Sequence, residues 1–193
     1  MHTVTATKQT IRKSNLREEA LLLLDKRGSI LDIAREVSQL MRNAGVSGVV
    51  IGGVAVVLHG HVRTTKDVDI FTSFELEPLA NLLTANGFLF EKAERAFVKH
   101  GIAVHLVQPE HIQTPPTEPV EIDGITTVSL VDLINIKLRS GSENLLRAQD
   151  LADVIGLIRH HRLTNDFAKH IEKFLPSAFR KLVRMIEREN KKR

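Results

Sequence analysis

Asp67-Val68-Asp69 sets two carboxylates one residue apart in a short run that continues into Ile70 and Phe71. Successive side chains of a β-strand point to opposite faces, so on a strand Asp67 and Asp69 share one face. Two anions side by side repel unless a cation lies between them. Mg2+ suits such a pair, because it is satisfied by one or two carboxylates and keeps coordination positions for substrate phosphates. Upstream, Val49-Val50-Ile51 runs into Gly52-Gly53. Glycines let a backbone approach a phosphate closely, and a helix that follows presents free N–H groups and the positive end of its dipole. A phosphate cradle and a carboxylate pair this close in sequence point to phosphoryl-group chemistry. The bland alternative, two exposed strand-end carboxylates with no metal, leaves the glycine pair in front of them unexplained.

Arg63 and Lys66, between the glycines and the carboxylates, have two readings: a phosphate clamp, or solvated loop cations. Thr65 reads as a turn or capping residue. The histidines at 59, 61, 100, 111, 160, 161 and 170 show no metal-ligand spacing and read as structural or surface residues; His160 and His161 are adjacent and point different ways on a helix.

The elements that must position these groups follow from periodicity and punctuation. Residues 1–15 are polar and aperiodic and read as disordered. A Leu- and Ala-rich helical pattern covers 16–26. Ser29 and Asp32 form a capping-box-like start for a helix reaching Asn43. A strand at 48–51, a short helix at 53–59 and a strand at 67–72 carry the candidate site. A helix is expected at 76–86, then strands at 88–91, 96–99 and 102–107, with a hairpin turn at Lys99-His100-Gly101. A proline-rich loop at 108–119 precedes strands at 119–122 and 125–128, joined by an Asp123-Gly124 turn. Ser129 and Asp132 again pair as a helix start, for a helix to Arg139, and helices are expected at 143–161, 165–174 and 176–190. Strands in the middle and helices at both ends describe an α+β protein with a mixed central sheet flanked by helices and a helical C-terminal part.

Composition sets the outer limits. The chain has 193 residues, 42% hydrophobic and 26% charged, with a net charge of +4, which is ordinary for a globular protein with one good core. The complete lack of cysteine excludes disulfides, thiol catalysis and cysteine-ligated metals. No apolar run approaches the roughly 18–20 residues of a membrane span, and the first residues lack the apolar segment of a secretory signal, so a cytoplasmic location with no membrane is expected. The basic C-terminal helix, with Arg180, Lys181, Arg184, Arg188, Lys191, Lys192 and Arg193, reads as a solvated helix end or, alternatively, as a surface for polynucleotide. With no Trp or Tyr, stacking platforms for single strands are scarce, which counts against a dedicated RNA-binding module.

The glycine pair, the spacer Gly60-His61-Val62-Arg63-Thr64-Thr65-Lys66 and the Asp67-Val68-Asp69 strand together resemble the nucleotidyltransferase superfamily that includes DNA polymerase β, specifically the G-x-x-R-x-T-x-D-h-D form of its AbiEii-like branch. Downstream, Ser129-Leu130-Val131-Asp132-Leu133-Ile134 with Lys137, followed by Gln149-Asp150-Leu151-Ala152-Asp153, resembles the S-x-x-D-L-x-x-x-K and K-D-x-x-D pattern of that branch, with Gln149 in place of a lysine. The resemblance covers about residues 35–160. It implies a polymerase β-like fold, with the core at 16–128 and the helical C-terminal part at 129–193. It further implies Mg2+ on Asp67 and Asp69, a nucleoside triphosphate held by Gly52, Gly53, Arg63, Lys66 and Lys137, and Asp150 orienting Lys137 or completing the site. From the residues alone, Lys137 could equally be a snorkelling lysine, and Asp150 a surface carboxylate paired with Arg147. The superfamily's third carboxylate falls in the stretch Ile102-Ala103-Val104-His105-Leu106-Val107, where this chain has His105. Histidine can serve as a general base near neutral pH but is a poor Mg2+ ligand; a purely structural His105 would leave the site weakened. The implied reaction is transfer of a nucleoside monophosphate to an acceptor hydroxyl. Three settings come with it: a toxin with an antitoxin partner acting on tRNA or protein, an enzyme modifying a small antibiotic-like acceptor, or a degenerate fold that binds nucleotide or a partner without turnover.

Overall fold

The computed structural model describes residues 29–73, 76–112 and 115–192. The disordered segment expected at 1–15 and the helix expected at 16–26 lie outside the described residues.

Among the described residues, seven strands form one mixed sheet: β1 (Val49–Ile51), β2 (Asp67–Phe71), β3 (Leu89–Glu91), β4 (Ala96–Lys99), β5 (Ile102–Val107), β6 (Pro119–Ile122) and β7 (Ile125–Val128). Their spatial order is β3-β4-β5-β2-β1-β7-β6. β1 pairs antiparallel with β2, while the β2–β5 and β1–β7 pairs are parallel. The β4–β5 and β6–β7 hairpins turn where two consecutive residues have positive φ: His100 and Gly101 at 52° and 78°, Asp123 and Gly124 at 51° and 78°. That backbone matches the right-handed twist of the strands it joins, and an X-Gly pair supplies it with little strain.

Strand alternation divides the core in two. Val50, Val68, Ile70 and Val104 face a cluster with helices α1 (Ser29–Ala44) and α3 (Leu76–Ala85), through Leu31, Ala34, Val37, Leu79 and Leu83. Ile51, Phe71 and Val128 face the opposite way, into a cluster with α4 (Leu130–Glu143), α5 (Ala148–His161) and α6 (Pro176–Asn190). The short helix α2 (Gly52–Leu58) contributes to both clusters, Val54 and Val57 to the first, Ala55 and Val56 to the second. Asp67, Asp69 and His105 therefore project on the face of the sheet that α4 to α6 cover only in part.

Two helices depart from expectation. The helix expected at 143–161 is interrupted. α4 runs on to Glu143, past the expected end at Arg139, and Asn144 turns the chain by accepting a hydrogen bond from the Leu146 N–H at 2.9 Å. After a 3-10 turn at Leu145–Arg147, α5 starts at Ala148. Gly141 makes this corner tight, since a Cβ there would lie 2.7 Å from Leu151 Cγ. The helix expected at 165–174 is only a 3-10 turn at Asn165–Lys169. Phe174 has φ of 77°, a left-handed conformation that no helix can pass through, and α6 starts two residues later.

Candidate active site

The antiparallel register of β1 and β2 places Ile51 opposite Asp69, so the residue after Ile51 lies beside the Asp69 carboxylate. That residue is Gly52, with φ of 67°; a Cβ on it would sit 2.0 Å from Asp69 Oδ2. Glycine is required here twice over, by backbone conformation and by space. Gly53 answers a second approach: its Cβ would lie 2.3 Å from Thr65 Oγ1 and 2.8 Å from Arg63 Nη2. Thr65 is buried, with Oγ1 at 3.4 Å from the Asp67 carbonyl oxygen, in keeping with a turn role. The glycines thus open helix α2 rather than preceding it as a free turn.

On the parallel β2–β5 pair, Asp69 is in register with His105. His105 Nε2 lies 3.7 Å from Asp67 Oδ2, so the two aspartates and the histidine occupy one face. Burial pushes the Asp69 carboxyl above its ordinary value of 3.8, and the neighbouring Asp67 charge pushes it the same way; His105, Lys137 and Arg63 offset part of that shift. An anion pair still short of positive charge fits an added divalent cation, and two carboxylates are what Mg2+ takes beside substrate oxygens. Among the described residues, no group of three or more His, Cys, Asp and Glu side chains could hold a metal ion by itself. Any ion here would complete its shell from substrate and water.

The distal motif reaches the same place. The tight α4–α5 corner folds α5 back on α4, and Lys137 Nζ donates to Asp150 Oδ1 at 2.6 Å and sits 3.0 Å from Asp153 Oδ2. Asp150 is buried and also accepts from Ser140 Oγ at 2.7 Å, while Arg147 stands at 3.6 Å. Burial alone would raise the Asp150 carboxyl; the Lys137 hydrogen bond and charge, Ser140 and Arg147 outweigh it and hold it below the ordinary 3.8. Asp150 is therefore not a surface carboxylate, and Lys137 is buried in an ion-pair network rather than snorkelling.

Asp153, which the motif contains but sequence reasoning assigns no role, closes the network. It is fully buried, and its Oδ1 lies 3.0 Å from Arg63 Nε. The signal was the i, i+3 spacing of Asp150 and Asp153, which puts both on one helix face. Arg63 is thus neither a solvated cation nor an isolated clamp. Lys66 is exposed at the rim. All these groups line, or stand immediately behind, one cleft of about 1110 Å³ that also takes in Gly52, Gly53, Arg95 and Arg139.

Four of the histidines read as structural or surface residues, His59, His61, His160 and His161, do structural work. His161 Nε2 donates to the His59 carbonyl at 2.7 Å, and His59 Nε2 to the Val128 carbonyl at 2.8 Å. Cβ atoms on Gly60 and Gly156 would lie 2.2 Å and 2.3 Å from the His160 and His61 rings. Together these contacts fasten the 59–66 segment, which carries Arg63, onto α5. His160 and His161 are thus both engaged with it.

The chain has the nucleotidyltransferase fold: its structure is similar to that of an antigenic nucleotidyltransferase-like protein from Paracoccidioides brasiliensis, with a TM-score of 0.52 and 15% identity over 90% of this chain and 91% of that one. Residues 28–177 match the family described as nucleotidyltransferase of unknown function (DUF6036), and the chain belongs to that family. No curated protein matches it in sequence. No helix among the described residues is long and apolar enough to cross a membrane.

Proposed function

We propose that the protein transfers a nucleoside monophosphate from a nucleoside triphosphate to an acceptor hydroxyl, with release of pyrophosphate. The observation that carries this is the contact of Gly52 with Asp69: a backbone stripped of side chains lies directly against one member of a carboxylate pair. A triphosphate resting on the glycines would present its oxygens to the same ion that the carboxylates attract.

Asp67 and Asp69 would hold Mg2+, whose chemistry is to stabilise charge on the attacking and leaving oxygens. The chain's own residues position the rest. The Gly52 and Gly53 backbone receives the phosphates, and Arg63, Lys66 and Lys137 supply cationic donors along the cleft. The acceptor oxygen bonds to the α-phosphorus as the bond to pyrophosphate breaks. The hydroxyl proton must leave, and His105, 3.7 Å from Asp67, would be the base that takes it. The two motifs support an AbiEii-like enzyme, a toxin acting on tRNA or protein under control of an antitoxin, ahead of one that modifies a small antibiotic-like acceptor.

A second reading has its own observation. His105 stands on β5 where the superfamily carries its third carboxylate, which favours a protein that binds nucleotide without turnover, since fold does not guarantee chemistry. Transfer of label from each of the four nucleoside triphosphates to total RNA, protein and small hydroxyl acceptors, with Mg2+ and with chelator, separates the two. Metal-dependent transfer, lost in Asp67→Ala and Asp69→Ala, supports the enzyme. Metal-dependent triphosphate binding with no transfer supports the binding protein, and metal-dependent binding that survives both substitutions rejects the assigned site.

A further inference from the structure

Asp153 is a fully buried carboxylate on a helix whose neighbours Val154, Leu157 and Ile158 are core. A buried ion pair contributes little net stability, and an apolar residue of similar size would often serve packing as well. Packing against the core gives no reason for a charge at this position. We infer that Asp153 is a positioning residue: its carboxylate locks Arg63 and Lys137 into one unit that holds the triphosphate of an incoming nucleotide against the glycine pair. The inference rests on the nucleotidyltransferase reading.

Three segments meet at this carboxylate. Arg63 comes from the loop before β2, Lys137 from α4 and Asp153 from α5. Oδ1 lies 3.0 Å from Arg63 Nε and Oδ2 3.0 Å from Lys137 Nζ, while Gln149 Nε2 donates to Oδ1 at 3.0 Å. Neither contact with a cation is aligned as a hydrogen bond, so Arg63 Nε and Asp153 Oδ2 are buried without one. Buried groups left in that state cost stability. The arrangement is thus poor as a staple and makes sense as a means of aiming the cations.

The aim is visible at Arg63. Its Nε faces Asp153 and its Nη1 donates to the Thr64 carbonyl at 2.7 Å. Its Nη2 is the atom that a Cβ on Gly53 would approach to 2.8 Å, so the third nitrogen is set over the glycine pair. Charge alone does not explain the unit, because Arg63 and Lys137 are balanced by Asp150 and Asp153. Its contribution to triphosphate binding is fixed donor geometry, which needs no rearrangement when the ligand arrives.

The test is calorimetric binding of ATP and of inorganic tripolyphosphate, both with Mg2+, to the full chain. Wild type is compared with Asp153→Asn, Arg63→Ala and Arg63→Lys, with thermal melting and Mn2+ binding in parallel. Asp153→Asn is expected to weaken both ligands about tenfold or more while Mn2+ binding changes far less. Its effect should shrink in the Arg63→Ala background to the part carried through Lys137, since Asp153 and Arg63 act as a unit. Arg63→Lys keeps the charge at a partly exposed site but cannot span Asp153, Thr64 and the glycines together, so it should bind as weakly as Arg63→Ala. It tests the inference even if Asp153→Asn does not fold. Wild-type affinity in Asp153→Asn or Arg63→Lys overturns this inference alone. A wild-type protein that shows no metal-dependent triphosphate binding overturns both the inference and the reading beneath it.

Discussion

Gly52 and Asp69 occupy one another's space: a Cβ on the glycine would sit 2.0 Å from the carboxylate oxygen. Gly52→Ala must therefore move the Asp69 side chain and impose φ of 67° on an alanine. The first change is cheap for stability, because a carboxylate tip can rotate away; the second costs about 1–2 kcal/mol. Function should suffer more than the fold. The expected result is a folded protein, melting only a few degrees lower, in which metal-dependent triphosphate binding and transfer fall to background. Binding at wild-type affinity would detach the glycine from the site.

Asp69, half-buried, and Asp150, buried, have opposite signs of pH dependence. Asp69 holds its proton more tightly in the fold than in the unfolded chain, so keeping it ionised opposes folding at neutral pH. That opposition fades as pH falls through its raised value and is gone below the ordinary 3.8, where both states are protonated. Asp150 is held below 3.8, so it contributes stability above that value, and the contribution is lost as pH falls through its lowered value. At pH 7 without metal, Asp69→Asn should raise Tm by about 2–4 °C for each 1 kcal/mol relieved, whereas Asp150→Asn should lower stability by about 1–3 kcal/mol. Melting curves across pH 3–8 check both. A destabilised Asp69→Asn protein at pH 7 would contradict this account of the dyad.

His105 pairs in register with Asp69 on the neighbouring parallel strand. Aspartate at this position would add a third carboxylate to the same face. His105→Asp should tighten Mn2+ binding by about tenfold, equivalent to 1.4 kcal/mol, and lower Tm when metal is withheld, because the added anion faces two others. If the wild-type site is limited by its missing carboxylate, transfer should accelerate as well. Unchanged Mn2+ affinity in a folded variant would show that β5 does not contribute to the ion site.

The 59–66 segment is held on α5 by side chains packed against glycines, which makes a reciprocal test available. A Cβ on Gly156 would lie 2.3 Å from the His61 ring. Gly156→Ala should cost about 1–3 kcal/mol through overpacking and weaken triphosphate binding by displacing Arg63. In a His61→Ala background the same substitution should become neutral or stabilising by up to ~1 kcal/mol, the ordinary helix preference for alanine over glycine. Additive effects in the double mutant, measured by denaturant unfolding, would rule out the contact as the cause.

What could be read without coordinates was local. Strand periodicity alone sets Asp67 and Asp69 on one face, and the X-Gly dipeptides at His100-Gly101 and Asp123-Gly124 mark the β4–β5 and β6–β7 hairpins. The S-x-x-D start of α4 is also local, with Ser129 Oγ accepting the Asp132 N–H at 3.1 Å. Periodicity failed where short-range competition decided the backbone. Asn144 breaks into the stretch that reads as one helix over 143–161, and Phe174 takes a left-handed conformation at the end of the stretch that reads as a helix over 165–174.

The sequence by itself determined the carboxylate pair, the glycines before it and, through its resemblance, the class of fold. Spacing along one strand and one turn carries that information within a few residues. Only the tertiary structure decided that Gly52 makes room for Asp69, since this depends on the antiparallel register of β1 and β2. Only it showed Asp153 to be the joint between Arg63 and Lys137. Those three residues come from a loop and two helices, and their meeting depends on a corner at Asn144 and a close approach at Gly141 that no local pattern encodes.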